Sequence, residues 1–124
     1  MKNKNNYTAR DHTFVICAYK ESKYLKNCIR SLENQTMKSR ILIATSTDNA
    51  YIREIAKQYR IPLFVNDAPS GIATDWNFAY RQADTKLVTI AHQDDIYNSD
   101  YLEEMLYAFN HARNPILGHS AYYE

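Results

Sequence analysis

The sequence predicts an α/β fold, three layers (α/β/α) around a mostly parallel sheet. Apolar runs of strand length alternate four times with stretches of helical periodicity. No Pro- or Ser-rich linker and no internal repeat breaks that alternation. The apolar runs are continuous, the pattern of strands covered on both faces, and strand–helix–strand units of this kind close by right-handed crossovers.

Residues 1–12 form a polar leader, so the domain is expected over 13–124. "TFVICAY", Thr13 to Tyr19, is the first strand. From Ser22, placed to cap a helix, the period changes, and Leu25, Cys28, Ile29 and Leu32 recur at helical spacing to about Gln35. "RILIATS", Arg40 to Ser46, is the second strand, and Ile52, Ile55, Ala56 and Tyr59 stripe a helix that begins near Asp48 or Asn49. Pro62 to Val65 makes a short third strand. After "NDAPSG" a third helix carries Ile72, Trp76, Ala79 and Ala83 on one side. Lys86 to Ala91 is the fourth strand, and Leu102, Met105, Leu106 and Phe109 mark a fourth helix with Asp100 and Glu103 at capping-box spacing. Pro115 to Gly118 is expected to start a fifth strand.

A chain of 124 residues buries one core, not two. Fifteen basic against 14 acidic residues leave a net charge of +1, too little field to hold nucleic acid or a membrane surface, so an anionic ligand has to be captured locally. No apolar stretch approaches the ~20 residues of a membrane span, and the polar start is no signal peptide, so a cytoplasmic protein is expected. Cys17 and Cys28 fall on apolar faces, as reduced core thiols do, and the four histidines lack zinc-site spacing. Only Gly71 and Gly118 are available for left-handed turns, and neither GxGxxG nor GxxxxGK occurs, which argues against a dinucleotide fold or a P-loop.

In parallel sheets ligands gather beyond the carboxyl ends of the strands, where strand order reverses. This chain has "AYKES", "ATSTDN", "NDAPSG" and "HQDDIYN" there, all polar. The last puts Asp94 beside Asp95, and two adjacent carboxylates repel unless a positive group shares them. Mg²⁺ or Mn²⁺ bridging to phosphate oxygens satisfies both, whereas a solvated turn explains the pair taken alone. A calcium EF-hand would need a mid-loop glycine that is missing.

Taken as an ordered set, "FVICAYKESKYLKNCIRSLENQT", "STDN", "NDAPSGIATDWNFAYRQA" and "LVTIAHQDDIY" resemble the family 2 glycosyltransferases, inverting nucleotide-sugar enzymes with a GT-A, Rossmann-like fold. The resemblance covers about Thr13 to Glu104. It implies that Ala18, Tyr19 and Glu21 line a nucleotide pocket, with Ser46 and Asp48 near the base. Asp94 and Asp95 would occupy the DXD-type position, holding Mn²⁺ or Mg²⁺ on the diphosphate, with Gln93 and Asp94 touching the nucleotide sugar. Asn77 matches a family asparagine that reaches the acid-bearing loop, although a locally satisfied helix-face Asn fits it equally. The implied partners are a nucleotide-diphospho-sugar donor and an unidentified acceptor, in polysaccharide or glycoconjugate synthesis.

Four departures accompany the resemblance. "ATS" stands where relatives carry an acid for a uracil ring, His92 takes the leading acidic place before the Asp pair, and Trp76 replaces a basic residue, with core packing as its expected role. The family's acceptor half and general base would follow "HSAYYE", so the chain is expected to be a truncated amino-terminal half that binds donor weakly, transfers poorly and self-associates through an exposed sheet edge. Two other functions stand beside this one. A response-regulator-like receiver needs acids at the first strand end, where only Glu21 lies; a catalytically silent binding or scaffold module of the same fold needs no base at all. Tyr97, Tyr101, Tyr122 and Tyr123 offer either sugar-stacking faces or core packing.

Overall fold

The computed structural model describes residues 5–67 and 71–111. The expected fifth strand, Tyr122 and Tyr123 lie outside them. Four strands, β1 (His12–Ala18), β2 (Arg40–Thr45), β3 (Leu63–Val65) and β4 (Leu87–His92), pair in the order β3-β2-β1-β4, every pair parallel. Four helices follow them in turn: α1 (Leu25–Glu33), α2 (Ala50–Tyr59), α3 (Ile72–Gln82) and α4 (Tyr101–His111). β4 starts one residue later than its apolar run suggests and takes in His92.

Side chains of β1 alternate between two cores. Phe14, Ile16 and Ala18 pack with Leu25, Ile29, Ile52 and Leu102 of α1, α2 and α4, whereas Val15 and Cys17 pack with Phe78 and Ala79 of α3. The layers are therefore α1, α2 and α4, then the sheet, then α3. Strand order explains this division. From β1 the chain steps outward to β2 and β3, then returns past β1 to β4, and right-handed crossovers in opposite directions need helices on opposite faces.

Helix ends differ instructively from expectation. Of Asp48 and Asn49, near which the helix start was expected, Asn49 caps α2, accepting from the Ile52 N–H at 2.8 Å. Ser22 does not cap α1: that helix starts at Leu25 behind Tyr24 without a side-chain cap, and the Ser22 hydroxyl is committed elsewhere. At α4 the acceptor comes from across the fold. Gln35, 1% exposed, accepts from the Leu102 N–H at 2.9 Å and donates to Ser31 O and Asn98 O. Glu103 accepts the Thr36 hydroxyl instead of closing a box with Asp100. Left-handed backbone falls on Lys20 (φ 53°) and Arg60 (φ 56°), while Gly71 is extended. Tyr7 and Asn110 exchange hydrogen bonds, tying residues before β1 to α4.

His12, 1% exposed, hydrogen-bonds Ser39 Oγ and Thr89 Oγ1, and burial pushes its pKa down to about 3. Between pH 6.5 and about 3 the unfolded chain therefore takes up a proton at His12 that the folded chain refuses. Stability should fall with pH across that window, by at most ~1.4 kcal/mol per unit from this group. Urea titrations should show a shallower fall in His12→Gln. Gln35→Ala, which leaves one buried donor and two buried acceptors unpaired, should lower unfolding free energy by about 2–4 kcal/mol at neutral pH.

Candidate functional site

Beyond the carboxyl ends of β1 and β2 lies a cavity of about 310 Å³. Its floor is Cys17, Ala18 and Tyr19 from β1 with Ala44, Thr45 and Ser46 from β2. Asn66, following β3, and Asp75 and Trp76 of α3 close the other side. The reversal of strand order at β1 generates the opening, since α1 leaves on one face and α3 packs on the other.

The loop after β4 is fastened to the loop after β1. Gln93 accepts from the Tyr19 N–H at 3.0 Å and donates to Tyr19 O at 3.1 Å. Ser22 Oγ donates to Asp94 Oδ1 at 2.8 Å while accepting from the Tyr24 N–H, and Tyr51 OH donates to Ser22 O. The loop after β2 joins them: the Lys20 N–H donates to Thr47 Oγ1 at 2.7 Å, and Asn49 Nδ2 donates to Lys20 O. Asp94 and Asp95 are thus held beside the β1 turn, both exposed. Beneath them the Cys28 thiol, bonded to His92 O, is pushed up to about 12 by burial and then by the charges of Asp95 and Asp94. Cys17 is raised to about 12 as well, by burial and then by Asp75, so neither cysteine is a thiolate at neutral pH.

Of the residues the sequence nominates, Ala18, Tyr19 and Ser46 line the cavity. Gln93 and Asp94 brace its rim through the contacts just given. Asp48 is turned away, its carboxylate forked onto the Arg53 guanidinium, which holds its pKa below the usual range. Glu21 is exposed on the β1–α1 turn and does not line the cavity. Asn77 is also exposed, with no hydrogen bond to the acid-bearing loop among the described residues. Trp76, expected in the core, instead lines the cavity and packs edge-on against half-buried His92, ring centroids 5.8 Å apart. Tyr97 and Tyr101 pack edge-on against each other and against the core, each half-buried.

Asp75 went unnoticed in the sequence. Its Oδ2 accepts from Ser46 Oγ at 3.4 Å, and its Oδ1 is buried with no hydrogen-bond partner among the described residues. The one available signal was an acid in the first turn of a helix that starts at the ligand-binding end of the sheet.

Comparison with known proteins converges on one family. The profile of glycosyl transferase family 2 matches residues 13–123. The chain belongs to that family. No curated protein matches it. Among solved structures, it superposes on TarS of S. aureus with a TM-score of 0.67 at 19% identity, covering 76% of this chain and 18% of TarS. It superposes on the mannosyltransferase PcManGT of Pyrobaculum calidifontis, in complex with GDP-Man and Mn²⁺, with a TM-score of 0.60 at 18% identity, covering 77% of this chain and 32% of that one. These likenesses establish the GT-A fold, and the chain spans about a fifth and a third of the two neighbours. No helix among the described residues is long and apolar enough to cross a membrane.

Among the described residues no group of three or more His, Cys, Asp or Glu side chains forms a metal cage. A cation shared with phosphate oxygens asks only for one or two carboxylates, and Asp94 and Asp95 are adjacent and exposed. The Gln93–Tyr19 exchange is what keeps the pair beside the cavity. Gln93→Ala should raise hydrogen–deuterium exchange at the Tyr19 amide about tenfold, the loss of one hydrogen bond of ~1.4 kcal/mol, with the amides of β1 unaffected.

Proposed function

We propose that this family 2 glycosyltransferase domain is the donor-binding unit of an inverting, nucleotide-diphospho-sugar-dependent enzyme of polysaccharide or glycoconjugate synthesis. The observation that carries the proposal is the junction of cavity and acid pair: Gln93 locks the Asp94–Asp95 loop onto the same Tyr19 turn that forms the cavity wall. A nucleoside in the cavity would project its diphosphate toward those acids. PcManGT, whose complex holds GDP-Man and Mn²⁺, supports a nucleotide sugar and a divalent ion as the pair to test.

In inverting transfer an acceptor hydroxyl attacks the anomeric carbon, its proton passes to a base, and the bond to the diphosphate breaks with inversion. Mn²⁺ or Mg²⁺, when bound, neutralises the charge that develops on the leaving nucleoside diphosphate. The residues of this chain bind and orient. Asp94 and Asp95 would hold the ion; Ser22, donating to Asp94 Oδ1, leaves the other Asp94 oxygen and the Asp95 carboxylate for it. Lys20, whose ammonium sits 5.1 Å from the Tyr19 ring centroid, offers a positive charge at the same rim.

Calorimetric titration with UDP-, GDP- and dTDP-sugars, with and without Mn²⁺, tests the proposal. At least one donor should bind more tightly with metal, and Asp94→Ala and Asp95→Ala should each weaken that binding about tenfold or more, ~1.4 kcal/mol. If no nucleotide sugar binds under any metal condition, a scaffold role replaces this one.

A further inference from the structure

α1 and the residues just after it turn a polar seam toward the loop that carries the acid pair. Cys28, Ser31 and Gln35 follow one another at three and four residues, the spacing of one helix side, and are 0%, 9% and 1% exposed. Each meets the loop after β4. Cys28 Sγ donates to His92 O at 3.4 Å, Ser31 Oγ accepts from the Tyr97 N–H at 3.0 Å, and Gln35 Nε2 donates to Asn98 O at 2.6 Å. The hold is closest at His92, the last residue of β4. Its N–H donates to Tyr97 OH at 3.2 Å, and its carbonyl accepts twice, from Cys28 and from the Asp95 N–H at 3.0 Å. The bond from Asp95 closes a four-residue turn with Gln93 and Asp94 at its centre. From the turn after β1, Gln93 is tied to Tyr19 and Asp94 to Ser22.

Packing alone does not call for this seam, since apolar side chains would fill the same space with no polar atoms to satisfy. What hydrogen bonds add is a fixed register of loop on helix. Two adjacent carboxylates repel, and a loose loop relieves that repulsion by moving them apart. We propose that Tyr97 and Cys28 are positioning residues of the acid pair: they hold the N–H and the carbonyl of His92 from the α1 side, so that the turn keeps Asp94 and Asp95 ready for a shared divalent cation. The inference rests on the donor-binding function proposed above. Neither residue touches the cation. Ser31 acts through both, accepting the Tyr97 N–H and donating to Cys28 O. The gain is preorganisation: a cation that meets ligands already in place binds without the cost of ordering the loop.

The test is Mn²⁺ affinity, read from the paramagnetic resonance signal of the free ion, alone and with UDP, GDP or dTDP. Only Mn²⁺ that Asp94→Ala releases is counted, and each variant is measured where circular dichroism shows it fully folded. Tyr97→Phe keeps the ring and removes one oxygen; it should weaken Mn²⁺ binding about fivefold, the loss of one ordinary hydrogen bond. Cys28→Ala should weaken it about threefold, since a thiol is the poorer donor, and the double variant about tenfold or more, ~1.4 kcal/mol. Without metal, hydrogen exchange at the Asp95 amide should quicken about fivefold in Tyr97→Phe. His12→Gln, a buried polar change at the opposite end of β1, should leave Mn²⁺ affinity unchanged. Should Tyr97→Phe fail to fold, Cys28→Ala decides. If the variants bind Mn²⁺ as tightly as the unaltered protein, or His12→Gln weakens it as much as they do, the positioning role is overturned and donor binding stands. If the unaltered protein binds no Mn²⁺ with or without a nucleotide, the acid pair is no cation site and the metal-dependent donor reading falls with this one.

Discussion

β1 is hydrogen-bonded on both sides and packed on both faces, and the geometry of the site follows from the way the chain leaves its two neighbours. Stepping out to β2 and β3 places α1 and α2 on one face; the return to β4 places α3 on the other. Between them the carboxyl end of β1 opens onto the cavity, and the loops after β1, β2 and β4 meet beside it. Lys20 sits in left-handed backbone at that point, a conformation that costs a non-glycine residue about 1–3 kcal/mol unless its surroundings fix it. Thr47 takes its N–H and Asn49 its carbonyl, so the second loop holds the first in place.

The same turn shows stability yielding to placement. Ser22 lies just ahead of α1, a position that suits a cap worth ~1 kcal/mol, yet its hydroxyl donates to Asp94 and α1 begins uncapped. Gln93 likewise spends both ends of its amide on a single backbone residue, Tyr19, across 74 positions of sequence. Neither contact contributes much to the core. Together they convert a flexible acidic loop into a fixed rim beside the cavity, and that fixes where the repulsion between Asp94 and Asp95 can be relieved.

Hydrophobic periodicity made most of the fold legible, because β1, β2 and β4 are buried on both faces and α1 and α2 carry clean apolar stripes at Leu25, Cys28, Ile29, Leu32, Ile52 and Ile55. The acid pair and the Ala18–Tyr19 turn were legible for a related reason: polar residues after a buried strand have to be in a loop at its end. Side-chain direction was not legible. Asp48 and Asp75 are both acids in the neighbourhood of helix starts, and only the local presence of Arg53 five residues on decides that Asp48 turns outward while Asp75 turns in. The Gln35 cap of α4 joins residues 67 apart, which no local pattern encodes, so nearby Asp100 and Glu103 drew the expectation instead. Trp76 was read as core because a large apolar residue on a helix stripe usually is; the cavity beside β1 is what gives it a second environment.

Buried polar groups in the fold are closely paired. His12 has a partner on each ring nitrogen, Gln35 uses its donor group twice and its acceptor once, and Ser31 both donates to Cys28 O and accepts from the Tyr97 N–H. At the cavity Thr45 is engaged with Thr47, and Ser46 reaches Asp75 Oδ2 at 3.4 Å. Gln35 and Ser31 thus tie α1 to the loop after β4 and to the start of α4, on the face of the sheet opposite α3.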